Sequence, residues 1–317
     1  MQNMPQLLIS LIGEQPIPNL LPLWQFQEFT ATQFIASQTT LNIAETLTHA
    51  IRQDKQLSHL EVLPTQTIEA YNIGLARAGI SAVLSEHLLA ETDVRLNLTG
   101  GTKIMSLAAL QAAFGSGVLL MYVSTEENRI ILLGSDGAEL SSQPIDVKIT
   151  VDQYLKAHGL EVSDNQNFDP NYYSYAAPPP KAGDELEMSI YQALKQSTWF
   201  DDVRRNIFIR KQTQQGEVKN ELDIVAICNG RLAVCSCKSI SSEKQEQVRN
   251  KIQKAIYELA SLSRREAFGI YCGKILATDI PDPGEANLQR AKEMGVRLVW
   301  GEEIEYIALQ FKLVMGC

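Results

Sequence analysis

Asn220-Glu221-Leu222-Asp223-Ile224-Val225-Ala226-Ile227 and, a few residues on, Ala233-Val234-Cys235-Ser236-Cys237-Lys238-Ser239 read as two adjacent strands. The first leaves a polar stretch and carries Asp223 where its apolar run begins. The second carries Lys238 where its apolar run ends. Short, nearly continuous apolar runs are expected of strands buried on both faces. Strands are therefore predicted at Glu221–Cys228 and Leu232–Cys237, with a further one before them at Val203–Lys211. A helix over Asp184–Gln196 precedes this group and a long helix over Glu243–Leu262 follows it. Strand Ala267–Tyr271, helix Gly284–Met294, strand Val296–Trp300 and a helix from Glu302 to Val314 complete this half.

Upstream, the chain alternates strand and helix. Strands are predicted at Gln6–Gly13, Ala31–Ser37, Leu60–Pro64, Arg95–Thr99 and Gly117–Thr125. Helices are predicted between them, at Asn19–Phe29, Leu41–Gln53, Thr67–Leu89 and Thr102–Phe114. This alternation argues for a parallel, doubly wound α/β sheet. A hairpin follows, with strand Arg129–Leu133 and a turn at Gly134–Gly137. Residues 160–183 are polar, rich in Asn and Tyr, and close on Pro178-Pro179-Pro180, a linker by composition. The expected division is a domain over 1–150, a linker over 151–183 and a second domain over 184–317.

A chain of 317 residues with 45% hydrophobic and 21% charged residues suits two ordinary globular domains. No apolar run reaches the length of a membrane span. The run Leu7–Ile12 lacks the basic flank of a signal peptide, so a cytoplasmic location and no membrane partner are expected. Cys228, Cys235, Cys237, Cys272 and Cys317 lack the paired spacing of a zinc site and fit a reducing compartment. Net charge is −9, which argues against general nucleic-acid binding. Its distribution does not. Residues 1–150 hold 7 Lys and Arg against 14 Asp and Glu, whereas residues 198–265 hold 13 against 8. The basic patch includes Arg204, Arg205, Arg210, Lys211, Lys244, Arg249, Lys251 and Lys254. Attraction to phosphate is local, so a basic patch on an acidic protein can still bind a strand. A solvated helix face of mixed charge explains Lys244 to Lys254 equally well.

A carboxylate and a lysine at neighbouring strand ends suit metal-dependent phosphodiester hydrolysis. The carboxylate holds a divalent cation; the lysine orients water and offsets phosphate charge. In the first half, Leu98-Thr99-Gly100-Gly101-Thr102-Lys103 is a strand end, a glycine turn and a helix start. Glycines let backbone amides approach a ligand, and a helix N-terminus offers free N–H groups to phosphate. The Walker spacing and the G-x-G-x-x-G fingerprint are both absent, which argues against a nucleotide-dependent metabolic enzyme. The loop Gly13-Glu14-Gln15-Pro16-Ile17-Pro18-Asn19 lies after the first strand, at the same carboxyl edge of the sheet. Glu14 would repel phosphate, while Gln15 and Asn19 could read polar groups. His49, His59, His87 and His158 lie in no catalytic context; Trp24, Trp199 and Trp300 read as core or interface anchors; Tyr172, Tyr173 and Tyr175 read as linker contacts.

The Leu-Ile-Gly-Glu-Gln-Pro-Ile-Pro-Asn and Leu-Thr-Gly-Gly-Thr-Lys-Ile-Met segments resemble CARF domains, the Rossmann-like sensors of cyclic oligoadenylates in type III CRISPR defence. Over nearly its whole length the chain resembles the CARF–nuclease effectors of that system. The resemblance implies a homodimer clasping one activator, cyclic tetra-adenylate, with Gly13, Glu14, Gln15, Asn19 and Thr99, Gly100, Gly101, Thr102 and Lys103 lining the pocket. The second half is similar to the PD-(D/E)xK restriction-endonuclease-like fold. That similarity maps Glu187 to the helix glutamate, Asp223 to the strand aspartate and Lys238 to the lysine. Gln253 and Tyr257 map to a Q-x-x-x-Y element. The substrate it implies is DNA, with RNA as a second option, and the cofactor is Mn²⁺ or Mg²⁺.

One position departs from the pattern. Two residues before the lysine stands Ser236 where an acid is expected, and a hydroxyl is a weak ligand beside a carboxylate. Three arrangements stay open. The cation is held by Asp223, Glu187 and the Cys237 carbonyl; or Glu221, two residues before Asp223, helps; or the site is crippled. The last would leave a non-catalytic cyclic-oligoadenylate sensor whose degenerate nuclease domain binds nucleic acid or a partner.

Overall fold

The computed structural model describes residues 6–90, 92–168, 184–213, 216–239, 245–280 and 282–317. Pro178, Pro179, Pro180, the linker tyrosines Tyr172, Tyr173 and Tyr175, and Lys244 lie outside them. The chain divides into two compact units, residues 1–147 and 148–317.

In the first unit, β1 (Gln6–Leu11) is followed by α1 (Ile17–Gln25), β2 (Ala31–Ala36), α2 (Leu41–Gln53), β3 (Glu61–Val62), β4 (Gln66–Thr67), α3 (Ile73–Leu89), β5 (Asp93–Asn97), α4 (Lys103–Ala113), β6 (Leu119–Ser124), β7 (Arg129–Leu133) and β8 (Glu139–Pro144). The sheet order is β3-β2-β1-β5-β6-β7-β8, with β4 also paired to β2. The strands from β3 to β6 run parallel, and β7 and β8 close the edge antiparallel. The central strand β1 buries Leu7, Leu8, Ile9, Ser10 and Leu11, as a strand covered on both faces must. Two helices are shorter than expected. Helix α1 stops at Gln25 because Phe26 turns extended (φ −108°, ψ 104°). Helix α3 starts at Ile73 because Asn72 caps it, accepting the Leu75 N–H at 3.1 Å, while Gln66–Thr67 is drawn into the sheet.

The second unit starts earlier than composition suggested. Within the expected linker lie α5 (Val151–Ala157), opened by a capping box of Thr150 and Gln153, and β9 (Glu161–Ser163). Then come α6 (Asp184–Gln196), β10 (Asp202–Thr213), β11 (Gly216–Cys228), β12 (Arg231–Lys238), α7 (Gln245–Leu262), α8 (Arg265–Phe268), β13 (Gly273–Thr278), α9 (Glu285–Glu293), β14 (Arg297–Trp300) and α10 (Ile307–Met315). The sheet order is β14-β13-β12-β11-β10-β9. The strands β12, β13 and β14 are parallel, and the pairs from β9 to β12 antiparallel. One face packs Ile224, Ala226, Cys235 and Ile275 against Ile190 of α6 and Phe311 of α10. Helix α7 packs on β12 and β13 with buried Ile252, Ile256 and Leu259, spaced one helical turn apart.

The strand expected at Ala267–Tyr271 is absent. Those residues begin as α8, which Gly269 ends at φ 83°, and the core strand is Gly273–Thr278, whose Ile275, Leu276 and Ala277 are buried. Cys228 and Cys317 form a disulfide that spacing did not reveal; it joins the end of β11 to the residue beyond α10.

Candidate functional site

The strands bearing Asp223 and Lys238 pair antiparallel, Ile224 opposite Cys235 and Val225 opposite Val234. Continued by one residue, this register sets Asp223 opposite Ser236. Oδ2 of Asp223 accepts from the Cys237 backbone N–H at 2.7 Å and from the Ser236 hydroxyl at 3.1 Å. The carboxylate is thereby oriented by its neighbour strand. On the other side, β10 pairs Arg205 with Ile224 and Ile207 with Leu222. Asn206 between them, in register with Asp223, takes a left-handed conformation at φ 51°. Such backbone is rare outside glycine and tolerated best by Asn and Asp, and it breaks the ladder beside the acid.

Asp223, Ser236 and Lys238 line one cleft of about 840 Å³, together with Glu221 and, from α7, Tyr257. Glu187, on the first turns of α6, carries a pKa raised to about 7. Burial is the main cause; the negative charges of Asp223, Asp184 and Glu221 add to it, and Arg205 opposes them. The structure thus brings Glu187, Asp223 and Glu221 within electrostatic reach of one another and sets Lys238 in the same cleft as the latter two. Gln253 is half-buried on α7 and is not among the cleft's lining residues; Tyr257, one turn on, is. The Tyr257 hydroxyl accepts from Nε of Arg290 at 3.1 Å.

The chemistry of these donors fits a hard divalent cation. They are carboxylate oxygens, one of them, on Glu187, with a pKa raised to about 7 by burial and by its acidic neighbours, whose negative charge a cation would offset. The Cys237 thiol is not a ligand of that kind: hydrogen bonding with Cys235 and burial push its pKa well up, so it stays protonated. A ready-made cage is not present; among the described residues no three His, Cys, Asp or Glu side chains are grouped to hold a metal.

Most of the expected basic patch is spent on ion pairs. Arg204 pairs with Asp152 and Asp164, Arg210 with Glu161 and Glu217, Arg249 with Asp282, and Lys254 with Glu258. Neither Arg264, which also lines the cleft, nor Asp184 beside Glu187 was singled out in the sequence, because only the fold brings them there.

In the first unit, β1 and β5 are neighbours, so the loops that follow them meet at the carboxyl edge of the sheet. They touch through glycine. A Cβ on Gly100 would overlap the Leu11 carbonyl oxygen, and one on Gly13 would stand 2.9 Å from the Gly101 nitrogen. Thr102 caps α4, its hydroxyl accepting the Met105 N–H at 3.1 Å and donating to the Ala70 carbonyl at 2.7 Å. Lys103 is exposed on the first turn of α4, and Glu14 and Gln15 lie in the β1–α1 loop with at most partial cover. Two expected pocket residues make hydrogen bonds within the scaffold. The Thr99 hydroxyl donates to Asn97 Oδ1 at 2.6 Å and accepts the Val123 N–H at 2.7 Å. Asn19 is fully buried and donates to the Gln15 and Pro16 carbonyls.

Residues 7–154 match the family model of the Card1 CARF domain, and residues 181–312 match that of the Card1-like endonuclease domain. No curated protein matches. Among solved structures, the chain is similar to protein VC1899 from Vibrio cholerae, with 15% identity, a TM-score of 0.77 and 98% of each chain covered. It is similar to Can2 from Sulfobacillus thermosulfidooxidans in complex with cyclic tetra-adenylate, at 18% identity and a TM-score of 0.75 over 98% of this chain and 100% of that one. It is also similar to a type III CRISPR defence DNA nuclease activated by cyclic oligoadenylate, at 18% identity and a TM-score of 0.59 over 89% of this chain and 47% of that one. At such identities these likenesses speak to the fold.

Proposed function

The chain belongs to the CARF-domain nucleases of the Card1 type, and from that premise we propose that it is a nuclease of type III CRISPR defence switched on by cyclic tetra-adenylate. The observation that carries the catalytic half is the single cleft shared by Asp223, Ser236 and Lys238, with the pKa of Glu187 raised to about 7 by burial and, in addition, by the charge of Asp223. Glu187, Asp223 and the Cys237 carbonyl would hold Mn²⁺ or Mg²⁺, and Glu221 would add negative charge nearby. Such an ion supplies charge to the phosphate and a more acidic water. Asp223 is kept in one orientation by its two donors, so it meets the ion without reorganising. Lys238 positions the attacking water and the phosphate, and its positive charge offsets the charge that develops there.

Sensing rests on the paired loops of Gly13 and Gly100–Gly101 and on the N-terminus of α4, where Thr102 and Lys103 stand. Backbone amides and a lysine suit the phosphates of a cyclic oligonucleotide. A homodimer would present two such loop pairs to a symmetric ligand. Activation then requires that the ligand bind the cutting-competent state more tightly than the resting one. The substrate is DNA, with RNA as a second substrate of the same hydrolysis, and the site of action is the cytoplasm.

The test mixes the purified protein with Mn²⁺ and labelled single-stranded DNA, single-stranded RNA and supercoiled plasmid, with and without cyclic tetra-adenylate. Cleavage is expected only with the ligand, and Lys238→Ala is expected to abolish it while ligand affinity stays unchanged. Undiminished cutting by Lys238→Ala would remove the site from consideration. A second reading, a non-catalytic sensor that binds nucleic acid, draws on Ser236 in the acid position and on the missing three-ligand group among the described residues. It gains the field if the natural protein binds the ligand without cutting and Ser236→Glu confers cutting.

A further inference from the structure

The cleft that holds Asp223 and Lys238 extends well past them. Its lining also includes Leu160, Ile209 and Val218, with Lys211 from β10 and Arg264 from the turn between α7 and α8. Lys211 pairs in register with Val218, five residues along β11 from Asp223. At a strand rise of about 3.4 Å per residue, that is roughly 17 Å from the acid, a span of several phosphates along a nucleic-acid strand.

The two cations differ from several arginines of this unit. Arg204, Arg210, Arg249 and Arg297 are each tied to an acid. Among the described residues Lys211 has no acidic partner, although its strand neighbours Arg210 and Gln212 both bond Glu217. Among the same residues the Arg264 guanidinium meets only the Ser261 hydroxyl, at 3.1 Å. Of the three acids that line the cleft, Glu258 is bonded to Lys254, while Glu221 and Asp223 belong to the proposed catalytic end. Behind Lys211 the charge reaches His158, a buried imidazole stacked on Tyr154 whose pKa is lowered to about 4, chiefly by burial. That ring is neutral and contributes no counter-charge. Two cations without an ion-pair partner in one cleft offer an anion two points of attraction.

We propose that Lys211 and Arg264 form a phosphate clamp that holds the substrate strand several nucleotides from the scissile bond, so that hydrolysis at Asp223 and Lys238 is coupled to a distant grip on the backbone. The clamp rests on the nuclease reading above. It is sequence-neutral, since it grips the backbone, and it treats DNA and RNA alike. Both residues are positioning residues and touch no reacting atom.

The experiment measures binding and cutting separately. Binding of a labelled single strand is followed in Ca²⁺ with cyclic tetra-adenylate over a range of salt, for the natural protein, Lys211→Ala, Arg264→Ala and Lys211→Arg. Each alanine variant should weaken strand binding and reduce the salt slope by about 1, as when one phosphate is no longer neutralised. Lys211→Arg should restore both. In Mn²⁺ the alanine variants should raise KM for a long strand more than they lower kcat, while a strand too short to reach the clamp is cut at the natural rate. Unchanged strand affinity and salt slope in both alanine variants would overturn the clamp. Failure of the natural protein to cut at all, with binding and its slopes behaving as described, would instead count against the nuclease reading and leave the clamp standing as a binding site.

Discussion

Ser236 donates its hydroxyl to Oδ2 of Asp223 across 3.1 Å, the same oxygen that takes the Cys237 N–H. The residue that departs from the expected acid is therefore part of what aims the remaining one. Hydrogen bonds to charged groups are worth about 1.5–3 kcal/mol. Ser236→Ala is expected to reduce ligand-stimulated cleavage roughly tenfold, as removal of about 1.4 kcal/mol of that orientation implies. Steady-state cleavage at saturating Mn²⁺ reads it; an unchanged rate would mean the Cys237 amide alone suffices.

Glu187 carries a pH signature. Its folded pKa, about 7, lies above the ordinary 4.5, so the folded protein holds this proton more tightly than the unfolded chain. The associated stability is fully present below about pH 4.5 and lost as pH rises through about 7. Without metal, Tm of the natural protein should fall between about pH 5 and about pH 8 relative to that of Glu187→Gln, which has no proton to lose. Parallel Tm curves for the two proteins would contradict the raised pKa.

Gly100 leaves no room for a side chain against the Leu11 carbonyl. Gly100→Ala must push the two ligand loops apart, and forcing a methyl into packed structure costs about 1–3 kcal/mol. Thermal unfolding should register that destabilisation. Calorimetry with cyclic tetra-adenylate should find binding weakened far more than by Gly74→Ala, in α3, where a Cβ would meet only Asn72 Oδ1 at 3.4 Å.

Asn206 faces Asp223 in a left-handed conformation. Asn206→Gly keeps that backbone accessible and should leave cleavage within about threefold, whereas Asn206→Val opposes it by about 1–2 kcal/mol or more. The valine variant should lose cleavage before it loses its fold, as circular dichroism and a cleavage assay together would reveal. Equal rates in the two variants would detach the kink from the site.

The strands bearing Asp223 and Lys238 were legible because a polar-to-apolar switch marks where each acid or base meets the core. The role of Ser236 was not, since it depends on the register that sets residue 223 opposite residue 236. Asn19, in the first turn of α1, and Thr99, beside Gly100 and Gly101, look like ligand contacts in one dimension. In three they satisfy buried carbonyls and a neighbouring strand's amide. Helix α5 and strand β9 escaped notice because seven and three residues carry too little periodicity; only pairing of Val162 with Ile209 makes β9 a strand. The strand at Gly273–Thr278 was expected a few residues too early because Phe268 and Ile270 already offered apolar residues, and nothing local marks Gly269 as a stop.

The meeting of Gly13 with Gly100 and Gly101 also bears on how such a sensor can evolve. What the two loops offer at their point of approach is main chain, and main chain is identical whatever residues surround it. On the proposed reading, the vocabulary for reading a phosphate would be written in peptide groups, with glycine as the spelling that the close approach requires. Around that fixed core, flanking positions such as Glu14 and Gln15 are at liberty to diverge, so that related sensors could retune which ring they answer to while keeping the same grammar of recognition.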